Sequence, residues 1–327
     1  MKLSKTLFLA LGIIILLLII YGIGYDKLIE TIKNFNFYYL PIILVLLLSS
    51  YILAALNTWV IGYGFKKISL KYVIKATFIS LVYATIIPGK IADLLMIPLL
   101  KKQKLNFNQA ASILFLDKMI SLFIKVIFAV FGIVFLVKKL SLLFPTNIIL
   151  LALIVILLLI SFIIIFRSKL ILNFIKNKIL KKYFSYFKRF YNTLKGYIKI
   201  NKKYLFYNIL ITILKTFLEA LLFYFLFLSF GQTTNFIELF FVFSLLSIVV
   251  LLASPVFGVS GLGVRELTGI FIFSIINIDS AVVFNSFILR ILLVYIISLF
   301  VIIRYRKELN VIKFKKYLKK LRFVKRA

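Results

Sequence analysis

Ten charged residues fall inside or beside long apolar stretches of this 327-residue chain: Lys90, Asp93, Asp117, Lys118, Lys125, Lys215, Glu219, Arg265, Glu266 and Arg290. A charge at bilayer depth is costly and is expected to face a cavity or a partner. Asp93, Arg265 and Glu266 adjoin two breaks in the apolar pattern, one at Pro88-Gly89 and one from Ser254-Pro255 to Gly263. Broken backbone in hydrocarbon leaves N–H and C=O groups unpaired, and it persists only against protein or a water-filled cavity. A half-helix starting after Gly89 would aim free N–H groups and its positive dipole end into the membrane. The run Gly258-Val259-Ser260-Gly261-Leu262-Gly263 would do the same ahead of Arg265. Such ends suit an anion, and lipid phosphate is the obvious anion in a membrane.

Each of these features also has a plainer reading. Glycines permit close helix packing. Arg265-Glu266 can be a local cap and ion pair. Lys215 and Glu219, four apart on one helix, can neutralise each other. Lys125 can snorkel, although it lies far from either end of its span.

Composition fixes the setting for these charges. Hydrophobic residues make up 64% of the chain and charged residues 16%, against roughly 45–50% apolar in soluble domains. Cysteine and histidine are both absent, which excludes thiol chemistry, histidine-based triads and the usual structural zinc sites. There is no nucleotide-binding loop, and no cofactor is expected. The net charge of +33 sits between and after apolar spans. That placement fits cytoplasmic loops facing anionic headgroups rather than nucleic acid.

The pattern predicts an all-α polytopic membrane protein. Six full spans are expected at residues 7–24, 39–62, 110–137, 147–166, 205–230 and 280–303, the first being retained rather than cleaved. Residues 72–100 and 236–277 remain, and the positive-inside rule decides how they run. Lys2 and Lys5 put the amino terminus in the cytoplasm. The balanced loop 25–38 suits the outside, and Lys66, Lys67, Lys71 and Lys75 mark the inside. A full crossing by 72–100 would put Lys101, Lys102 and Lys104 outside. A re-entrant dip turning at Pro88-Gly89 keeps them inside. The same logic makes 236–277 a dip from the outside and places both termini in the cytoplasm of a cell membrane, with Lys138 and Lys139 as misfits.

A span, a dip and a span thus run over residues 39–137 and again, inverted, over 205–303. Inverted repeats with discontinuous helices are the pattern of secondary transporters, whereas two Pro-kinked ordinary spans are the alternative. Residues 1–303 form the membrane domain on this reading. Within it, the basic segment 167–203 carries Phe174, Ile175, Ile179, Leu180 and Tyr183 at helical spacing, as a helix in the headgroup plane would. The basic tail 304–327 repeats that pattern with Ile312, Phe314, Tyr317, Leu318 and Leu321.

These motifs resemble the flippase-like transmembrane domain of lysylphosphatidylglycerol synthases, and the resemblance covers nearly the whole chain. That family carries Pro-Gly-Arg/Lys-x-x-(Glu/Asp), met here by Pro88, Gly89, Lys90 and Asp93. Its alanine-rich helix start is met by Asn108-Gln109-Ala110-Ala111-Ser112, and its acidic–basic pair by Asp117-Lys118. The aspartate often found three residues on is Ser121 here. The second signature is met by Gly261-Leu262-Gly263-Val264-Arg265-Glu266, with Pro255 set further back than in the family, and Arg290 meets an arginine of the last span.

The resemblance implies binding of an anionic phospholipid or a polyprenyl-phosphate-linked lipid by Pro88, Gly89, Lys90, Asp93, Asp117, Lys118, Gly261, Gly263, Arg265, Glu266 and Arg290. It implies lipid translocation rather than catalysis. No synthase domain is expected after the basic tail, so lipid aminoacylation is not carried over. Two alternatives stay open. One is a non-catalytic membrane partner of a separately encoded lipid or glycan transferase. The other is an integral-membrane transferase using the carboxylates at the breaks as bases.

Overall fold

A computed structural model describes residues 2–86, 93–139, 181–253 and 263–306. The described residues are helical and contain no strand. The elements are α1 (Lys2–Ile23), α2 (Tyr25–Lys33), α3 (Leu40–Phe65), α4 (Leu70–Ile86), α5 (Met96–Lys101), α6 (Phe107–Lys139), α7 (Lys181–Ile200), α8 (Lys202–Ser229), α9 (Phe236–Ala253), α10 (Val264–Ser274) and α11 (Ser280–Arg304). The span expected at 147–166 lies outside the described residues, as do Pro88-Gly89, Ser254-Pro255 and the tail beyond 306.

Helix ends follow local chemistry. Pro41 opens α3, where a missing N–H costs nothing. At the start of α6 the Gln109 N–H donates to Asn106 Oδ1 at 2.8 Å, while the Asn106 N–H donates to Gln109 Oε1 at 3.0 Å, a reciprocal cap. Asp279 accepts from the Ala281 N–H at 2.8 Å and caps α11.

Residues 37–65, 202–229 and 280–304 are each long and apolar enough to cross a membrane. Helix α6 spans about 50 Å at 1.5 Å per residue, also enough, and carries Asp117, Lys118 and Lys125 along its length. Segment 25–38, expected as a loop, is partly helical. At Gly24 (φ 91°) the chain turns by 82° from α1 into the amphipathic α2. Lys27 of α2 pairs with Asp279 at 2.6 Å, and Asn285 donates to Leu28 O at 3.1 Å. Partial burial alone would raise the Asp279 carboxyl. The hydrogen bonds from Lys27 and the Ala281 N–H outweigh it and hold the group below the usual carboxylate range.

Two hairpins close on themselves. The Tyr72 hydroxyl at the start of α4 donates to Leu99 O in α5 at 3.0 Å, and the Ser69 N–H donates to Gln103 Oε1 at 3.3 Å. Residues 66–71 and 101–104 therefore share one end of the molecule. Gln232 Nε2, ahead of α9, donates to Asn277 O, after α10, at 3.5 Å. Residues 232 and 277 meet at the opposite end, where the Asn36 N–H also donates to Ser229 O at 2.7 Å. The first end is strongly basic, with Lys66, Lys67, Lys71, Lys101, Lys102 and Lys104 on short connections. The second carries Asp26, Glu30 and Asp279 beside Lys27 and Lys33. Lys138 and Lys139 close α6 at this second end.

Helix α7 lies at the basic end. Its Tyr197 is buried, donates to Ile61 O at 2.8 Å and stacks on Phe65 with centroids 4.2 Å apart, while Lys188, Arg189, Lys195 and Lys199 are exposed. Of the positions expected to drive this segment, Phe174, Ile175, Ile179 and Leu180 lie outside the described residues. Lys202 and Lys203, expected to close it, belong instead to α8, because the chain turns at Asn201.

The core has two larger parts, beside a small cluster of Ile19, Leu28, Ala281 and Phe284 where α1 and α2 meet α11. One, at the basic end, joins Ile61, Ile79, Leu100, Ile113 and Tyr197. The other extends to the opposite end and is rich in aromatic rings, including Phe223, Phe227, Phe243, Phe273 and Phe287.

The chain has no cysteine, so single cysteines report sidedness cleanly. Lys71→Cys and Lys101→Cys should react with an impermeant maleimide from one side of a sealed vesicle, and Gln232→Cys from the other. Labelling of Lys71→Cys and Lys101→Cys from opposite sides would make residues 72–100 an ordinary crossing.

Candidate functional site

Between the two core parts lies a cavity of about 210 Å³. Helix α3 contributes Ser50, Tyr51 and Thr58, and α4 contributes Thr77 and Ser80. Asp93 comes from the turn before α5, and Asp117 and Lys118 from α6. Lys215 and Glu219 come from α8, and Arg290 from α11. Three cations and three carboxylates thus line a space enclosed by helices that are apolar elsewhere.

The depth of these groups follows from helix geometry. Glu219 is 17 residues from the first residue of α8 and ten from its last, about 25 Å and 15 Å along the axis. Arg290 is 14 residues from the end of α11 at the basic side, about 21 Å. Asp117 is ten residues into α6, about 15 Å from the basic end. The charges therefore lie well inside the apolar length of the bundle.

Their pairing is specific. Lys118 meets Asp93 at 3.1 Å, and both side chains remain partly open to the cavity. Lys215 and Glu219 pair within α8 at 3.7 Å, the i,i+4 neutralisation that their spacing allows. Lys125 of α6 reaches the other oxygen of the same carboxylate, also at 3.7 Å. Glu219 therefore joins α6 to α8. Asp117 is buried and receives Asn208 Nδ2 at 3.5 Å. Asn208 also donates to Asn57 O at 3.0 Å, and Asn57 donates to Thr212 Oγ1 at 3.1 Å. This buried polar seam fixes α3 against α8 and ties Asp117 to both. No sequence motif marked Asn57, Asn208 or Thr212; a polar residue recurring along one face of an otherwise apolar span was the available signal.

Arg290 stands apart. Among the described residues no carboxylate lies within ion-pair distance of it, and its buried Nε has no hydrogen-bond partner. The guanidinium lies over Phe223, 5.5 Å from the ring centroid.

The second signature is placed elsewhere. Arg265 pairs with Glu266 Oε1 through Nη2 at 2.5 Å and through Nε at 3.0 Å. Its guanidinium lies 5.3 Å from the Phe287 centroid. Glu266 is fully buried, and its other oxygen accepts the Gly263 N–H at 2.6 Å. A carboxylate of the chain itself thus occupies the positive end of α10 and satisfies Arg265, which is the local cap and ion pair that the sequence allows beside an anion site. Gly263 adopts φ 85°, and a Cβ there would lie 2.7 Å from Gly12 O of α1. The glycine is required by both the turn and the close approach. Phe287 and Phe223 pack with centroids 5.0 Å apart, so two rings separate Arg265 from Arg290.

Of the residues expected to bind substrate, the structure brings together Asp93, Asp117, Lys118 and Arg290. Gly263, Arg265 and Glu266 form a separate cluster on the other side of the Phe223–Phe287 pair. Pro88, Gly89, Lys90 and Gly261 lie outside the described residues. Among the described residues no group of three acidic side chains could hold a metal ion.

Removing one partner of a buried ion pair strands the other, at a cost of roughly 3 kcal/mol or more. Glu266→Ala should therefore lower the thermal midpoint in detergent by several degrees, with Glu266→Gln intermediate because it retains an acceptor for the Gly263 N–H. Equal midpoints for Glu266→Ala and the parent would show that the pair contributes nothing.

A comparison with curated proteins finds no match to this chain. The family described as "Lysylphosphatidylglycerol synthase TM region" matches residues 6–315, nearly the full length. That description refers to the transmembrane part of such synthases. Together with the apolar helices and the charged cavity between them, it establishes that the chain is a multi-pass membrane protein belonging to the lysylphosphatidylglycerol synthase transmembrane-region family.

Proposed function

We propose that this protein translocates a lipid between leaflets by sheltering its anionic headgroup in the cavity bounded by α3, α4, α6, α8 and α11. The observation that carries the reading is Arg290, without a carboxylate partner among the described residues, in a polar cavity at the depth where surrounding lipid offers nothing polar. A headgroup crossing hydrocarbon alone loses its hydration, and a charged cavity replaces that hydration while the acyl chains stay in lipid. The ligand is a phospholipid or a polyprenyl-phosphate-linked lipid, and no catalytic role is assigned.

Helix contacts support an inverted repeat of α3–α6 and α8–α11. Helices α3 and α8 pack on each other across the centre. Helix α4 packs on α11, and its counterpart α9 packs on α6, as an exchange of the two units would require. The two hairpins close at opposite ends. On this reading they are re-entrant and enter from opposite leaflets. The lysine-rich end faces the cytoplasm of a cell membrane, with both termini on that side. Asp93–Lys118 stands at the cavity's approach from the cytoplasmic end, and the aromatic core closes the route to the far side.

Reconstituted vesicles test this with fluorescent lipid analogues and dithionite quenching. The parent chain should raise flip rates above those of empty vesicles, and Arg290→Gln should lower them about tenfold, as for loss of one charged contact. Rates equal to empty vesicles for every anionic and polyprenyl-phosphate lipid would refute translocation.

A further inference from the structure

The cavity's charges are unevenly distributed. Towards the basic end, Asp93 and Lys118 cancel at 3.1 Å, and Asp117 adds one negative charge, with the neutral Asn208 as its hydrogen-bond donor among the described residues. Deeper, Lys215 and Arg290 line the cavity beside a single carboxylate, Glu219, which Lys125 also reaches from behind the lining. Both lysine contacts to Glu219 are 3.7 Å, longer than the 2.7–2.9 Å of a strong charge-assisted hydrogen bond. Glu219 is thus shared loosely by two ammonium groups, and Arg290 has no carboxylate partner among the described residues. The deep part is left with two positive charges over.

From this imbalance we infer that the site selects lipids whose phosphate carries two negative charges, a phosphate monoester or a diphosphate, over singly charged phosphodiesters. The inference rests on the translocator reading and narrows its substrate class. A dianion placed between Arg290 and Lys215 neutralises the deep part, whereas a phosphodiester leaves one buried charge uncompensated, which is costly. Glu219 then acts as the internal competitor. It holds the lysines when the site is empty and yields Lys215 to the incoming phosphate. Arg290 contributes the planar fork that suits bidentate contact with phosphate oxygens.

Dodecyl phosphate and methyl dodecyl phosphate share one alkyl chain and differ by one charge. Competition of each against radiolabelled dodecyl phosphate, bound to the full chain in phosphatidylcholine nanodiscs, reads the preference directly. At about pH 8 the monoester should bind roughly tenfold tighter or more. At about pH 5, below its second ionisation near 6, the advantage should vanish. Glu219→Gln removes the competitor and should strengthen monoester binding, a gain that structural damage does not produce. Equal affinity for both esters at about pH 8 overturns the inference, as does unchanged or weaker monoester binding by a folded Glu219→Gln. Lipid flipping without ester preference sinks only this charge rule. Ester preference without flipping sinks only the translocator reading.

Discussion

Glu219 is held between Lys125 of α6 and Lys215 of its own helix. An ion cluster of this kind has no alternative partner in hydrocarbon. Each charge must be met by another side chain or by a polar cavity, because lipid tails cannot stabilise it. The carboxylate therefore fixes how α6 and α8 face each other, and the Asn57–Thr212–Asn208–Asp117 seam fixes how α3 meets them both. With these contacts in place, α3, α6 and α8 form a frame. The hairpins α4–α5 and α9–α10 pack onto this frame, and the cavity is the space that the frame, the first hairpin and α11 leave.

The two charge clusters on either side of the Phe223–Phe287 pair differ in completeness. Glu266 takes two contacts from Arg265 and one from the Gly263 backbone, so that cluster is closed. Arg290 faces the cavity with its Nε unpartnered among the described residues. Both guanidiniums lie against an aromatic face, which suits a cation in a dry site. On the proposed reading, the closed cluster gives rigidity and the open one a place to bind. The distribution of partners, more than the identity of the motif, separates the two roles.

Much of this was legible in the sequence. Apolar run lengths located the long helices, because span length is set by bilayer thickness. Lysine placement indicated that the residue 66–71 and 101–104 clusters share a side, and the Ser69–Gln103 contact brings them together. Asp117-Lys118 and Arg290 stood out because charge is rare in such segments. Other features were not readable. Residues 25–38 looked like a balanced loop, since α2 is too short and too polar to register as an apolar run; its helix depends on packing against α11. Arg265 and Glu266 could be read either as a ligand site or as a local cap and ion pair, because adjacency in sequence does not say whether neighbouring side chains turn toward each other. Lys125 had no partner within four residues along α6, and its carboxylate comes from a helix distant in the chain.

The central claim is that a lipid headgroup enters the cavity and meets Arg290. Photocrosslinking in nanodiscs tests it directly, using a lipid phosphate with a diazirine next to the phosphorus and mass spectrometry to locate the adducts. Adducts should concentrate on α11 around Arg290 and on α8 around Lys215, and excess unlabelled lipid phosphate should suppress them. Adducts confined to the lipid-facing residues of α11, such as Leu292, Leu299 and Phe300, and insensitive to competitor, would contradict it.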